Sequence, residues 1–223
     1  PSLETVAIQP SDGLGWCECD ACRAMDTPVD RAKGTVSGRV YAFAALVAEA
    51  VRTEFPGRRL ALSSYSGWSQ PPAGMAPIPN LAVAVTLFRN YAFPIDDARS
   101  RTNQAVFERL RAFSRLAGRV MAYEYTGAGG LAFPVCTVQS RSLEAMHEIG
   151  VDTHFSEICP DREFWETAML PLYFTARKLW DLSAQPQAVI RDFCGHYYGA
   201  AGEEMTKYYL ALEDGFAGRP VES

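Results

Sequence analysis

Apolar residues along the chain fall into short strand-like runs separated by longer stretches of helical periodicity. Thr5 to Gln9 is a short apolar run halted at Pro10 and a Gly-rich stretch, which predicts a buried strand followed by a loop. Val40, Phe43, Ala44, Val47 and Val51 recur at helical spacing and stop before Pro56-Gly57, which predicts an amphipathic helix. Arg59 to Tyr65 and Leu81 to Phe88 read as strands, with a Pro-rich loop, Gln70 to Pro79, between them. Val106, Leu110 and Phe113 define one face of a helix over Asn103 to Ala117, with Gly118 as its stop. Arg119 to Tyr125 is the next strand, leading into a Gly-rich loop. Ser140 to Ile149 is a short helix closed by Gly150, and Val151 to Glu157 is a further strand. From Phe164 onward the pattern is helical, broken near Ser183 to Pro186 and at Gly199 to Gly202.

Strands that are apolar without alternation, interleaved with helices, indicate a parallel sheet covered by helices. The class is therefore α/β, with about five parallel strands over residues 1–182 and a helical tail over 183–223. Five strands do not close an eight-stranded barrel. The sheet is either open or part of a barrel whose earlier strands precede Pro1.

Composition narrows the function classes. The chain has 223 residues, 48% of them hydrophobic and 21% charged, enough to bury a core and too apolar for disorder. Its net charge is -5, and its Lys and Arg residues form no stripe, so nucleic acid is not an expected partner. No run reaches the roughly 18 apolar residues that a bilayer span needs. The first residues carry no secretory-signal pattern. Three of the six cysteines, Cys17, Cys19 and Cys22, cluster at C-x-C-x-x-C spacing, which suggests one local site and not a disulfide framework.

The segment Ser11-Asp12-Gly13-Leu14-Gly15-Trp16-Cys17-Glu18-Cys19-Asp20-Ala21-Cys22 resembles the motif of a bacterial family, domain of unknown function 4838. Further matching pieces follow in order: Pro79-Asn80-Leu81, Tyr123-Glu124-Tyr125, the strand from Gly150 to Glu157, Tyr173 to Asp181, and Asp192 to Ala200. The resemblance spans nearly the whole chain. It implies the C-terminal part of a glycoside-hydrolase-like TIM barrel, in a secreted or periplasmic carbohydrate-processing protein. It also implies further barrel strands ahead of the cysteine motif. The family carries no assigned reaction, so the likeness lends an analogy and not a substrate.

In such a barrel the reactive groups sit at the C-terminal strand ends, which nominates Asp12, Tyr65, Asn90, Glu124 and Glu157. Glycoside hydrolysis usually takes two carboxylates, one as acid and one as base or nucleophile, so Asp12, Glu124 and Glu157 are the catalytic candidates. Glu124, between two tyrosines, is the foremost, with an Arg-paired structural Glu as the alternative. Asp12 could equally cap a turn, and Glu157 could belong to the turn at Cys159-Pro160. Trp16, Tyr65, Trp68, Tyr91 and Tyr123 are candidate stacking or hydrogen-bonding partners for sugar rings, or else packing under loops. Arg89 is placed to meet a sugar carboxylate, with Asn90 beside it.

The cysteine trio suits a structural Zn²⁺ if a fourth ligand arrives from Cys136, Cys159 or Cys194; a Cys17 to Cys22 disulfide and unpaired thiols are the alternatives. No catalytic cofactor is expected. His154 reads first as a satisfied core histidine, with a barrel-facing position as the alternative, and the aromatic series from Tyr173 to Tyr209 reads as helix-packing core, with His196 packed beside it. The hypotheses are a glycoside hydrolase, a non-catalytic carbohydrate-binding barrel portion, and a metal-containing scaffold. A sheet with open edges further predicts pairing with another copy or with a preceding barrel half.

Overall fold

The computed structural model describes residues 4–12, 15–126, 135–158 and 162–217. Five strands form one sheet in sequence order: β1 (Thr5–Ala7), β2 (Arg59–Ser64), β3 (Ile78–Thr86), β4 (Ala117–Thr126) and β5 (Val151–Ile158). The pairings of β1 with β2, β2 with β3 and β3 with β4 are parallel. Helices α1 (Asp20–Ala24), α2 (Pro28–Lys33) and α3 (Ser37–Glu54) separate β1 from β2, and α4 (Arg101–Leu116) and α5 (Cys136–Glu148) make the later crossovers. The β2–β3 connection has only a 3₁₀ turn, Ser66–Trp68, and the Pro-rich loop. After β5 come α6 (Arg162–Trp180), α7 (Pro186–Tyr197) and α8 (Gly202–Ala217). The fold is α/β, five parallel strands with covering helices and a helical tail, the arrangement of the C-terminal portion of a TIM-type barrel. No described helix is long and apolar enough to cross a membrane.

The chain forms two compact units. One gathers Pro1–Thr86, Glu108–Tyr123 and Gly150–His154; the other gathers Leu87–Phe107, Glu124–Ile149 and Phe155–Ser223. In the first unit α3 packs on β2 and β3. β3 is buried almost without alternation, from Leu81 through Val85 apart from Ala84, as a strand covered on both faces should be. The buried stripe of α3 is Val40, Tyr41, Ala44 and Ala48, so the predicted face is rotated and Phe43 is 59% exposed. Tyr41 sets that rotation: its ring is wholly buried and packs 5.5 Å from Phe113 of α4. The edge strands depart from the buried-run expectation. All of β1 is exposed, and β5 is buried only at Val151, because an edge strand has a neighbour on one side only.

Gly118, expected to stop a helix, is the second residue of β4, and α4 passes into that strand without a loop. A Cβ on Gly118 would stand 1.7 Å from the Pro79 carbonyl oxygen. The glycine is therefore required by the close approach of β4 to β3, beside the register irregularity between Ile78 and Ala82. Also unforeseen are α1 and α2, where only a loop was expected.

In the second unit the helices enclose Cys136, Leu170, Phe174, Val189, Ile190, Phe193, Cys194 and Tyr209. Glu213 of α8 accepts the backbone N–H groups of Cys136 (2.6 Å) and Thr137 (2.9 Å), satisfying orphan donors at the start of α5. Lys178, buried near the end of α6, donates to the Leu182 and Ala184 carbonyls and pairs with Glu144 at 2.7 Å, which closes the chain after that helix. The expected aromatic core is only partly realised. Phe174, Phe193 and Tyr209 are buried, whereas Trp180 is 93% exposed and Tyr197 and Tyr208 are more than half exposed. His196 is exposed as well, with its Nδ1 against the Asp192 carbonyl, because it projects from the outer side of α7. Gly118→Ala is expected to cost more than about 3 kcal/mol, since backbone cannot yield as a side chain would; urea unfolding of the variant checks this.

Candidate functional site

In the first unit the candidate groups are gathered around the cysteine segment by a buried carboxylate. That carboxylate is Asp30. The sequence Thr27-Pro28-Val29-Asp30 forms a capping box: Thr27 Oγ1 accepts the Asp30 N–H (3.1 Å), and Asp30 Oδ2 accepts the Thr27 N–H (3.1 Å). Asp30 also accepts from the Thr35 hydroxyl (2.6 Å) and from the N–H groups of Ser37 (3.0 Å) and Gly38 (2.9 Å) at the start of α3. Burial opposes ionisation of Asp30, but the Thr35 and Thr27 donors outweigh it and hold the carboxyl below its usual pKa. One buried carboxylate thus joins α2 to α3.

That junction aims Arg39 of α3 at the cysteine loop. Arg39 grips Asp26 through Nε (2.7 Å) and Nη2 (2.5 Å), and its Nη1 donates to the Cys17 carbonyl (2.7 Å). Cys17, Cys19 and Cys22 are free thiols whose sulfurs all lie within 4.8 Å of one another, with Cys17 Sγ to Cys19 Sγ at 3.5 Å. The Cys22 amide and the Cys17 thiol donate to Cys19 and lower its pKa to about 7, whereas the Cys22 thiol donates to Cys17 and Cys19, which raises its own pKa to about 11. Of the expected fourth ligands, Cys136 and Cys194 are corrected: both are buried in the apolar core of the second unit. Cys159 lies outside the described residues.

Two clefts adjoin this loop. One, about 450 Å³, is polar and is lined by Trp16, Cys17, Arg23, Asp26, Arg31 and Arg39 among others. The other, about 380 Å³, is largely apolar, with Ile8, Pro10, Met25, Val40, Phe43 and Leu62 in its walls; Trp16 lines both. Trp68, a candidate either for stacking on sugar or for packing under its loop, is 2% exposed and packs. Its indole N–H donates to the Ser63 carbonyl (2.9 Å), and edge-on contacts with Trp16 (5.6 Å) and Tyr65 (5.9 Å) make it the support beneath them. Asp12 is exposed in the bend after β1 and lines neither cleft, while Gly13 and Leu14 of the motif lie outside the described residues.

The second unit holds the other strand-end groups. Glu124 and Arg89 have fully buried side chains, joined from Arg89 Nε to Glu124 Oε1 at 2.6 Å. Gln139 of α5 closes the ring, donating to Glu124 Oε2 (2.7 Å) and accepting from Arg89 Nη2 (2.8 Å). Arg89 Nη1 donates to the Phe93 carbonyl (3.2 Å), and the guanidinium lies 4.6 Å from the centre of the Tyr91 ring. The whole fork of Arg89 is engaged inside the protein, so the expected contact with a sugar carboxylate faces internal competition at every nitrogen. Burial, and then the Glu124 charge, push the Tyr91 hydroxyl pKa upward.

Asn90 sits in a turn built by Asn103, whose Oδ1 accepts the Asn90 N–H (2.7 Å) and whose Nδ2 donates to the carbonyls of Asn90, Phe93 and Pro94 (3.0 Å each). Tyr125 stacks on Phe88 at 5.5 Å. Tyr123, in the first unit, is half-buried, as is His154; Glu157 is exposed, and the Gly-rich loop after β4 lies outside the described residues. Sequence reasoning missed Asp26, Asp30, Arg39, Asn103 and Gln139. The Thr27-Pro28-Val29-Asp30 capping signal was legible; the others act across long sequence separations and leave no local mark.

Fold and site together define a parallel-stranded barrel-type protein with a thiol-flanked polar cleft and an interior Arg–Glu pair. The family model described as domain of unknown function DUF4838 matches residues 1–210, and the chain belongs to that family. No curated protein and no solved structure matches it.

Two outcomes test this geometry. Asp30→Asn is expected to destabilise the protein by about 2 kcal/mol, because two carboxylate oxygens serving five donors become one. Since the folded pKa of Asp30 is lowered, its contribution is present above the unfolded value near 3.8 and is lost as pH falls through the folded value; the difference in unfolding free energy between wild type and variant should be full at pH 6 and smaller at pH 3. Glu124→Gln is expected to cost about 3–5 kcal/mol by leaving the Arg89 charge buried and unpaired, whereas Arg89→Met with Glu124→Leu should recover most of that loss in chemical denaturation.

Proposed function

We propose that this protein is a carbohydrate-processing barrel portion that holds a saccharide in the polar cleft beside Trp16. The composition of that cleft carries the reading: Trp16 lines it together with Arg23, Arg31, Arg39, Asp26 and Glu18. Sugars present an apolar face to an aromatic ring and a rim of hydroxyls to polar groups, so this pairing suits them. Arg23 is paired with Glu18 and Arg39 with Asp26, so Arg31 takes the place of Arg89 as the proposed partner for a sugar carboxylate. Zn²⁺ on Cys17, Cys19 and Cys22 would staple the wall that carries Trp16. A secreted or periplasmic setting, where polymeric glycans are met, suits this role.

A hydrolytic form of the proposal would draw its acid and base from the strand-end carboxylates Asp12, Glu124 and Glu157, none of which lines that cleft. A non-catalytic binding role is favoured by one observation: Glu124 is wholly buried in an ion pair with Arg89, which stabilises the charged form where a general acid needs a proton.

Binding of neutral and uronate-containing oligosaccharides by calorimetry, together with release of reducing ends, separates these readings. Trp16→Ala should weaken binding about three- to tenfold, the range expected when a stacking contact is lost. Hydrolysis that is abolished in Glu157→Gln supports the catalytic form. Binding without hydrolysis supports the second role. An absence of binding to every acidic and neutral glycan tested would end the carbohydrate reading.

A further inference from the structure

We infer that the Cys17–Cys19–Cys22 cluster is an open, exchangeable site for a soft d¹⁰ cation, with three protein thiolates and a fourth position filled from solution. This rests on the reading of the three thiols as metal ligands and changes what kind of site they make. Tetrahedral Zn²⁺ with Zn–S bonds near 2.3 Å places its sulfurs about 3.8 Å apart. The Cys17 and Cys19 sulfurs here are 3.5 Å apart and all three lie within 4.8 Å of one another, so they can close on such an ion with side-chain adjustments of about an ångström or less. Thiolates select Zn²⁺, Cd²⁺ or Cu⁺ over the hard ions Mg²⁺ and Ca²⁺.

The fourth position is what distinguishes a closed structural site from an open one. Among the described residues the ligand group stops at three. Asp26, held beside the loop, has both its oxygens engaged by Arg39. Cys136 and Cys194 are packed in the apolar core of the other unit. Cys17 and Cys19 are exposed, and the 450 Å³ polar cleft reaches Cys17, so water or a soft donor has a route to the metal.

The surroundings also fit the charge. Three thiolates and a divalent cation carry a net charge of about -1. Arg39 is a cation beside the loop, its charge shared with Asp26; its Nη1 holds the Cys17 carbonyl at 2.7 Å and its grip on Asp26 keeps it in place. Arg39 is thus the outer partner that such a site requires to orient its ligands.

The test is an anaerobic titration of the reduced full chain with Co²⁺, a spectroscopic substitute for Zn²⁺, in wild type, Cys19→Ser, Cys159→Ser and Arg39→Gln. One Co²⁺ per chain is expected, with thiolate-to-metal charge transfer and visible bands that move when imidazole is added. Cys159→Ser should bind as wild type does, Arg39→Gln about tenfold more weakly, and Cys19→Ser weaker still. Bands that ignore imidazole, with charge transfer reduced in Cys159→Ser, would show a closed four-thiolate site; the open-site inference then fails while the structural-zinc reading survives. Failure of the reduced wild type to take up Co²⁺ or Zn²⁺ overturns both. Circular dichroism of each variant separates loss of a ligand from loss of fold, and the imidazole response of the wild type needs no variant at all.

Discussion

An ionised side chain leaves water only when its charge is met by opposite charge or by several hydrogen-bond donors, and the interior of this protein is arranged around two groups that satisfy that demand. In the first unit the group is Asp30, whose carboxylate serves five donors from Thr27, Thr35, Ser37 and Gly38. In the second it is the Arg89–Glu124 pair, completed by Gln139. Such groups add little net stability over apolar packing, but a misplaced partner is costly, so they specify geometry more than they add energy. The positions of α3, of the turn after β3 and of α5 follow from these bonds.

The same demand explains where chemistry is available and where it is not. Glu124 ends a strand in the position that a barrel gives to reactive groups, yet its charge is stabilised by Arg89. Trp68 lies in a loop after β2, yet its ring is spent on supporting Trp16 and Tyr65. Among the described residues, the region around the cysteine loop is open: Trp16, Arg31 and Cys17 border a polar cleft there, and Arg39 links the loop to the body of the first unit.

The register of the sheet shows the same economy in the backbone. β4 approaches β3 so closely at Pro79 that no side chain fits on Gly118, and α4 turns directly into the strand there. A glycine that reads as a helix stop is in fact a point of contact between two strands. The rotation of α3 is of the same kind, since Tyr41 against Phe113 outweighs the exposure of Phe43.

Taken alone, the sequence determined the class of fold, the approximate positions of all five strands and of the long helices, the breaks in the helical tail, and the family. It also made the cysteine cluster visible, because spacing is a local property. These features depend on hydrophobic periodicity and on neighbours within a few residues. The tertiary structure alone decided that Arg89 faces Glu124 across 35 positions, that Gln139 joins them, that Arg39 reaches back 22 residues to Cys17, that Gly118 meets Pro79, and that Trp180 is left in solvent. Pairings over such separations are set by how strands and helices pack, and a single chain read in order carries no local signal of which distant side chain will arrive to meet a buried charge.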